Sequence, residues 1–104
     1  MKYIITENQQ IERLIFDYLD NRLKNLYEVE DKSGKFVWDS KESWSNSSRP
    51  IFSFYTRTGY LGLSPNLVME LSSFFSLDPD DVIDMLILWY GNKSKLSISD
   101  FYIM

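Results

Sequence analysis

Residues 72–91, SSFFSLDPDDVIDMLILWYG, combine four aspartates with two apolar clusters and a Trp-Tyr pair. Asp78 precedes a proline, which is favoured at the first position of a helix because its missing amide leaves no hydrogen bond unmade there. Asp78 is therefore predicted to cap a helix by accepting bonds from free backbone amides. Asp80 and Asp81 fall in the first helical turn, where the helix dipole stabilises each carboxylate by ~0.3–1 kcal/mol. Asp84, one turn later, is predicted on the solvent face, so each acid has a structural role.

A metal site is the competing interpretation of these aspartates. A calcium loop of the EF-hand kind needs alternating ligands, a central glycine and a distant glutamate, and the segment lacks that arrangement. Convergence of further carboxylates, such as those of Asp17 or Asp20, would be needed to build a site. The sequence therefore predicts no metal and no cofactor.

Apolar periodicity predicts two C-terminal helices. Ser64 and Pro65 repeat the cap-plus-proline pattern and begin the first of them. Gly91 is predicted to end the second, with Lys93 and Lys95 near the negative end of its dipole. The apolar positions are Leu67, Val68, Leu71, Phe74 and Phe75 in the first helix and Val82, Ile83, Leu86, Ile87, Trp89 and Tyr90 in the second. The second helix is apolar over more than half of its circumference, and such surplus apolar surface often marks an interface.

The N-terminal segment is predicted to form an amphipathic helix of about 16–18 residues. Thr6 and Gln9 have the spacing of a capping box, in which Thr6 accepts a bond from a backbone amide and Gln9 reaches back to the Thr6 amide. The apolar stripe recurs every three to four residues and consists of Ile11, Leu14, Ile15, Tyr18, Leu19 and Leu23.

The middle of the chain changes to the alternation that is typical of β-strands. The predicted strands are residues 26–30, 35–38, 51–56 and 60–63, and weak alternation in 96–104 suits one more edge strand. Residues 39–50 are polar and serine-rich and are predicted to form a loop, since Pro50 disfavours a central strand there.

These elements predict an α+β fold in one domain, residues 1–104. We expect an N-terminal helix, an antiparallel sheet of three to four strands, and two C-terminal helices packed on one sheet face. The predicted core includes Leu14, Tyr18, Val29, Phe54, Leu71, Phe75, Leu86 and Trp89.

The composition argues against most enzyme classes. The 104 residues include no histidine and no cysteine, which removes the commonest general base, the usual metal ligands and Ser-His or Cys-His nucleophiles. We therefore expect a protein that is not an enzyme. No segment approaches the ~18 apolar residues of a membrane span, and the apolar start is too short for a signal peptide. The cytoplasm is the predicted compartment, with no membrane partner.

The overall charge disfavours nucleic-acid binding, but the aromatic residues of one predicted strand are compatible with it. The net charge of −4 opposes a generally basic binding domain, although residues 31–58 hold five Lys and Arg against three Asp and Glu. On strict alternation Phe52 and Phe54 share one sheet face, while Ser53 and Tyr55 share the other. Rings with flanking arginines can stack unpaired bases, and the same residue types anchor protein interfaces.

The candidate interaction surface takes its residues from the polar loop, this strand and the last helix. Its members are Trp44, Arg49, Phe52, Tyr55, Arg57, Trp89 and Tyr90.

Three stretches of the chain resemble a group of small open reading frames of marine phages, known mostly from ocean metagenomes. They are KYIITENQ at residues 2–9, YLDN at Tyr18–Asn21, and GYLGLSPNLVMELSSFFSLDPDDVIDMLILWYGNK at Gly59–Lys93. The composition, rich in aromatic residues and without histidine, is similar as well. The group has no assigned activity and no known functional residues, so the resemblance implies a phage origin and a continuity of fold, and no site.

The sequence therefore predicts a small non-enzymatic accessory protein, encoded by a phage and working in the host cytoplasm. It would act through contacts with another protein or through self-association into a homo-oligomer. The alternative is a module for single-stranded nucleic acid that uses the aromatic and arginine residues of 49–57.

Overall fold

The structure is a computed structural model that describes the backbone of residues 2–104 and the side chains of residues 10–104. Within residues 2–104 the chain forms four helices and five strands. They are α1 (Lys2–Arg22), β1 (Tyr27–Glu30), β2 (Gly34–Trp38), α2 (Lys41–Ser45), β3 (Phe52–Tyr55), β4 (Tyr60–Leu63), α3 (Pro65–Phe75), α4 (Pro79–Ser94) and β5 (Asp100–Ile103). The predicted α+β class is confirmed.

The sheet differs from the predicted antiparallel sheet of three to four strands. Its strands follow the chain in the order β1-β2-β3-β4-β5. The first three pairings are antiparallel, and β5 pairs with β4 in parallel. A parallel neighbour needs a long crossover connection, and α3 and α4 supply it between β4 and β5. The weak alternation of residues 96–104 did not reveal this direction.

The two faces of the sheet have different surroundings. Val37, Phe52 and Leu63 lie opposite one another on β2, β3 and β4, and Phe54 lies opposite Leu61. All five are buried. Because side chains alternate along a strand, these five share one face, which the helices cover. The other face of the sheet is the open face.

The helices and the covered face form one hydrophobic cluster. Helix α1 contributes Ile15, Leu19 and Leu23, α3 contributes Leu67, Val68 and Leu71, and α4 contributes Val82, Ile83, Leu86, Trp89 and Tyr90. The ring of Phe52 stacks on Tyr90, with 4.6 Å between ring centroids, and on Trp89 at 6.2 Å. The sheet is therefore joined to α4 through aromatic contacts at its central strand.

Polar contacts hold α1 against the other two long helices. The indole nitrogen of Trp89 donates to Asp20 at 2.9 Å, and the Lys93 ammonium lies 2.9 Å from the same carboxylate oxygen. These hydrogen bonds, first that of Lys93 and then that of Trp89, lower the pKa of Asp20 below its usual value. On the other side, the Tyr18 hydroxyl and Arg22 both donate to Glu70 of α3.

The start of α1 and the exposure of Leu14 both differ from the predictions for the N-terminal segment. It begins at Lys2, four residues before the predicted cap at Thr6, and the side chains of that predicted capping box lie outside the described residues. Leu14, a predicted core residue, is 59% exposed. The buried stripe consists of Ile15, Leu19 and Leu23, because α1 turns that side towards α3, α4 and the sheet.

The rest of the predicted core is buried to differing degrees. Tyr18, Val29 and Phe75 are half-buried. The remaining four predicted members, Phe54, Leu71, Leu86 and Trp89, are buried.

The ends of α3 and α4 only partly follow the predicted capping pattern. Ser64 accepts a bond from the Leu67 amide and caps α3. Asp78 occupies the cap position of α4, but its side chain accepts no capping bond; its carboxylate acts on the helix end by charge alone. Helix α4 continues through Gly91, the predicted end, and stops at Lys95, which adopts the left-handed conformation at φ 62°.

The predicted loop 39–50 contains the short helix α2. Ser40 caps it by accepting a bond from the Ser43 amide, and this local bond stabilises a turn that apolar periodicity does not indicate.

Replacement of Leu86 by alanine should destabilise the protein by about 2–5 kcal/mol, because it leaves a cavity where no solvent reaches. Leu88, two residues on in the same helix, is 45% exposed, so Leu88→Ala removes the same atoms and should change the free energy of unfolding by about 0.5 kcal/mol or less. Urea unfolding of both variants makes the comparison. Equal losses would contradict the assignment of Leu86 to the core.

Candidate functional site

The seven residues of the predicted interaction surface do not form one surface. Phe52, Trp89 and Tyr90 have at most 3% of their surface exposed, so this part of the prediction is wrong. Alternation shows which residues share a face, but it does not show which face the helices cover. Helix α4 is apolar around most of its circumference because the sheet, α1 and α3 all contact it.

The other four residues, Trp44, Arg49, Tyr55 and Arg57, are exposed. They do not all meet, because Arg49 precedes β3 and Arg57 follows it, at opposite ends of the strand, and of the four only Tyr55 and Arg57 line one cavity. The predicted nucleic-acid platform at 49–57 is therefore divided, with Phe52 turned into the core between the two arginines.

The aspartates around the start of α4 are exposed. Within the residues that the structure describes, no group of three or more histidine, cysteine, aspartate or glutamate side chains could hold a metal ion. In the same part of the chain, no helix has the length and apolar character that crossing a membrane requires.

An exposed apolar area on the helical side is here named the helix patch and consists of the exposed Ile11, Leu14 and Phe74 together with the half-buried Tyr18. Leu14 is 59% exposed and Phe74 64%. The ring of Phe74 stacks on that of Tyr18, with centroids 4.9 Å apart. Phe74 and Phe75 are both apolar, yet neighbours in a helix point about 100° apart. Only Phe75 faces the cluster, which leaves Phe74 on the surface.

The open face of the sheet bears a row of aromatic rings. Phe36 contacts Tyr55, with 5.7 Å between ring centroids, and Tyr55 is 6.3 Å from Tyr102. Gly62 of β4, the strand between β3 and β5, lies opposite Ser53 and Tyr102. A Cβ atom at Gly62 would come within 2.6 Å of the Tyr102 ring, so glycine is what lets that ring lie across β4.

The β1–β2 and β3–β4 turns lie at one end of the sheet, here named the turn end. There the row of rings borders a cavity of about 550 Å³, here named the tyrosine pocket. It is lined by Lys32, Ser33, Tyr55, Arg57, Thr58, Tyr60 and Tyr102. Tyr55 and Tyr60 are 37% and 43% exposed. Among the described side chains, neither Lys32 nor Arg57 forms an ion pair. Sequence reasoning found Tyr55 and Arg57 but missed the other residues, because they come from three separate segments.

A second cavity of similar volume lies beside the start of α3. Arg22, which lines it, is ion-paired with Glu70 at 3.2 Å and with Asp39 at 3.8 Å. Arg49 also lines it and forms no ion pair among the described side chains, but the two arginines of the lining are balanced by two acids, Asp39 and Glu70, so this cavity attracts a charged ligand less than the tyrosine pocket does.

Comparison with known proteins adds no assignment: no protein-family model matches the chain, and neither the curated proteins nor the solved structures contain a match. The resemblance to marine-phage reading frames stays a prediction.

The ionisation of Tyr102, in the tyrosine pocket, should change the stability of the protein at high pH. Burial raises the pKa of Tyr102 to about 12, and the neighbouring Tyr55 adds to the rise. Since the folded-state pKa lies above the ordinary value of 10.0, the neutral hydroxyl contributes stability in full below pH 10 and loses it as the pH rises towards 12. Tyr102→Phe cannot ionise, so its free energy of unfolding should fall less than that of the wild type over this interval. Chemical denaturation at several pH values tests this, and parallel curves would show that Tyr102 is not the group responsible.

Proposed function

We propose that this protein is a non-enzymatic accessory protein that self-associates through its helix patch. The observation that carries the proposal is the pair of strongly exposed side chains Leu14 and Phe74, which both adjoin Tyr18: Leu14 lies one helical turn before it on α1, and the Phe74 ring stacks on it. Contiguous apolar surface of this kind is uncommon on a protein that stays alone, and it marks interaction sites.

The shape of the patch suits another helix. Ile11, Leu14 and Tyr18 are spaced three and four residues apart along α1, which is the spacing that packs one helix against a second. A second copy of the chain supplies such a helix, and most homo-oligomers join identical patches about a two-fold axis. When two α1 helices run antiparallel and cross beside Leu14, Ile11 of one copy lies opposite Tyr18 of the other.

The charges around the patch are compatible with a second copy in spite of the net charge of −4. Gln10 and Asn21, which are neutral and exposed, flank the stripe on α1. Neutral groups at the edge of the contact add no repulsion between two copies that each carry a net negative charge.

The resulting dimer would leave the two open sheet faces free for further contacts. The absence of catalytic activity, the phage origin and the host cytoplasm that the sequence predicts belong to this proposal. An accessory role fits a chain that has two contact surfaces and no histidine or cysteine for the commonest catalytic arrangements.

The solution mass tests the proposal directly. Light scattering after size exclusion, at several protein concentrations and two salt levels, should give twice the chain mass of 12.4 kDa. The double variant Leu14→Ser, Phe74→Ser should give the single-chain mass, because it removes most of the exposed apolar area of the patch. Both side chains are exposed, so the fold should persist, and circular dichroism checks this.

Met69→Ser is the matched control. Met69 is 66% exposed and lies on α3 about 140° around the helix from Phe74, so its replacement should leave the dimer intact. A wild-type mass of 12.4 kDa at every concentration would refute self-association, and so would a dimer unaffected by the double variant.

A further inference from the structure

We propose that the tyrosine pocket binds single-stranded nucleic acid, with a base stacked on the tyrosine rings and backbone phosphate held by Lys32 and Arg57. The pocket lies on the open face of the sheet, while the helix patch lies on the helical side. The proposal is therefore independent of self-association.

The rings supply the contact with the base. Tyr55 and Tyr60 are opposite one another on β3 and β4, and Tyr102 lies on the neighbouring strand β5. Their partial exposure on a sheet face leaves ring surface available. Aromatic side chains on a sheet are the common platform for unpaired bases, because every base offers a flat face to stack.

The cations supply the contact with phosphate. Lys32 belongs to the β1–β2 turn and Arg57 to the β3–β4 turn, and the two turns meet at the same end of the sheet around the pocket. Neither forms an ion pair among the described side chains. Arginine binds phosphate with two parallel hydrogen bonds, and lysine acts as a point charge.

Two acids, Asp31 and Asp100, lie near the pocket but do not line it. Asp31 accepts bonds from the amides of Ser33 and Gly34 within its own turn. Asp100, at the edge of the open face, accepts a bond from the Phe101 amide. Both carboxylates keep their charge but are held on backbone donors outside the pocket, and the charged residues of the pocket lining are Lys32 and Arg57.

The overall negative charge is concentrated elsewhere. Of the fifteen acidic residues, eight lie in α1, α3 and α4, and Asp78 occupies the position before α4. Glu28 and Glu30 are opposite Val37 and Lys35, so they share the covered face of the sheet. A net charge of −4 is thus compatible with a locally cationic site at the turn end.

The size of the pocket also suits this ligand. About 550 Å³ lies within the ~300–1,000 Å³ of small-ligand sites and would accommodate one nucleotide of a strand that continues along the ring row. An acidic protein segment would use the two cations but has no requirement for exposed ring faces, and nucleic acid uses both.

Fluorescence anisotropy with labelled twelve-nucleotide oligo(dT) and oligo(U) tests the proposal. Protein concentrations should be low enough to keep the chain monomeric, and salt should be varied from ~50 to ~200 mM, because phosphate contacts weaken as salt rises. Tyr60→Ala should weaken binding roughly 5- to 150-fold, the range for loss of one stacked base. Tyr60→Phe keeps the ring and should retain affinity, which separates stacking from a structural role.

The charge contacts have their own matched pair of variants. Arg57→Gln should weaken binding and reduce the salt dependence by about one phosphate contact. Arg49→Gln removes an exposed arginine at the opposite end of β3. It should change neither the affinity nor its salt dependence.

Three results would overturn the proposal. They are no binding to either oligonucleotide at low salt, equal effects of Arg57→Gln and Arg49→Gln, and equally tight binding of a poly-glutamate peptide, which would assign the pocket to acidic protein segments. The helix-patch double variant should bind oligonucleotides like the wild type, so failure of self-association leaves this experiment interpretable.

Discussion

Phe52 stands at the centre of the packing. It lies in the middle strand of the sheet, and its ring has no exposed surface and stacks on Tyr90 and Trp89 of α4. Trp89 then extends the connection, because its indole nitrogen donates to Asp20 of α1. Large rings bury much area each and stack with a defined geometry, so this group sets the position of α4 on the sheet and of α1 on α4.

The placement of the helices on one side of the sheet produces two surfaces of different chemistry. On the helical side, α1 buries Ile15 and Leu19 and leaves Leu14 exposed, one turn before Tyr18, on which the exposed Phe74 stacks. On the open side the rings of Tyr55 and Tyr60 are exposed. The first surface is aliphatic and aromatic and suits another protein chain. The second combines tyrosine with unpaired cations and suits a ligand that is flat and anionic.

The acidic and basic side chains are distributed unequally between the helical side and the open face. Most acids lie on the helical side and at the start of α4, while Lys32 and Arg57 lie at the turn end of the open face. A dimer formed through the helix patch would therefore hold two tyrosine pockets away from its interface. In such a dimer, two linked sites on one strand would raise the effective concentration for the second contact, so self-association would strengthen the proposed nucleic-acid binding.

The amino-acid sequence by itself determined the class of fold, the long helices and the strand at Tyr60–Leu63, because these depend on local periodicity and on residues such as Ser64 and Pro65 at a helix start. It also narrowed the chemistry, since a chain without histidine or cysteine lacks the commonest catalytic groups. The tertiary structure alone decided that β5 runs parallel to β4, that Phe52 and Tyr90 are buried, and that Leu14 is not. It also brought Lys32, Arg57 and Tyr102 to one pocket. Local patterns show which residues share a face of a helix or strand, but the side that becomes buried depends on which distant segment packs against it.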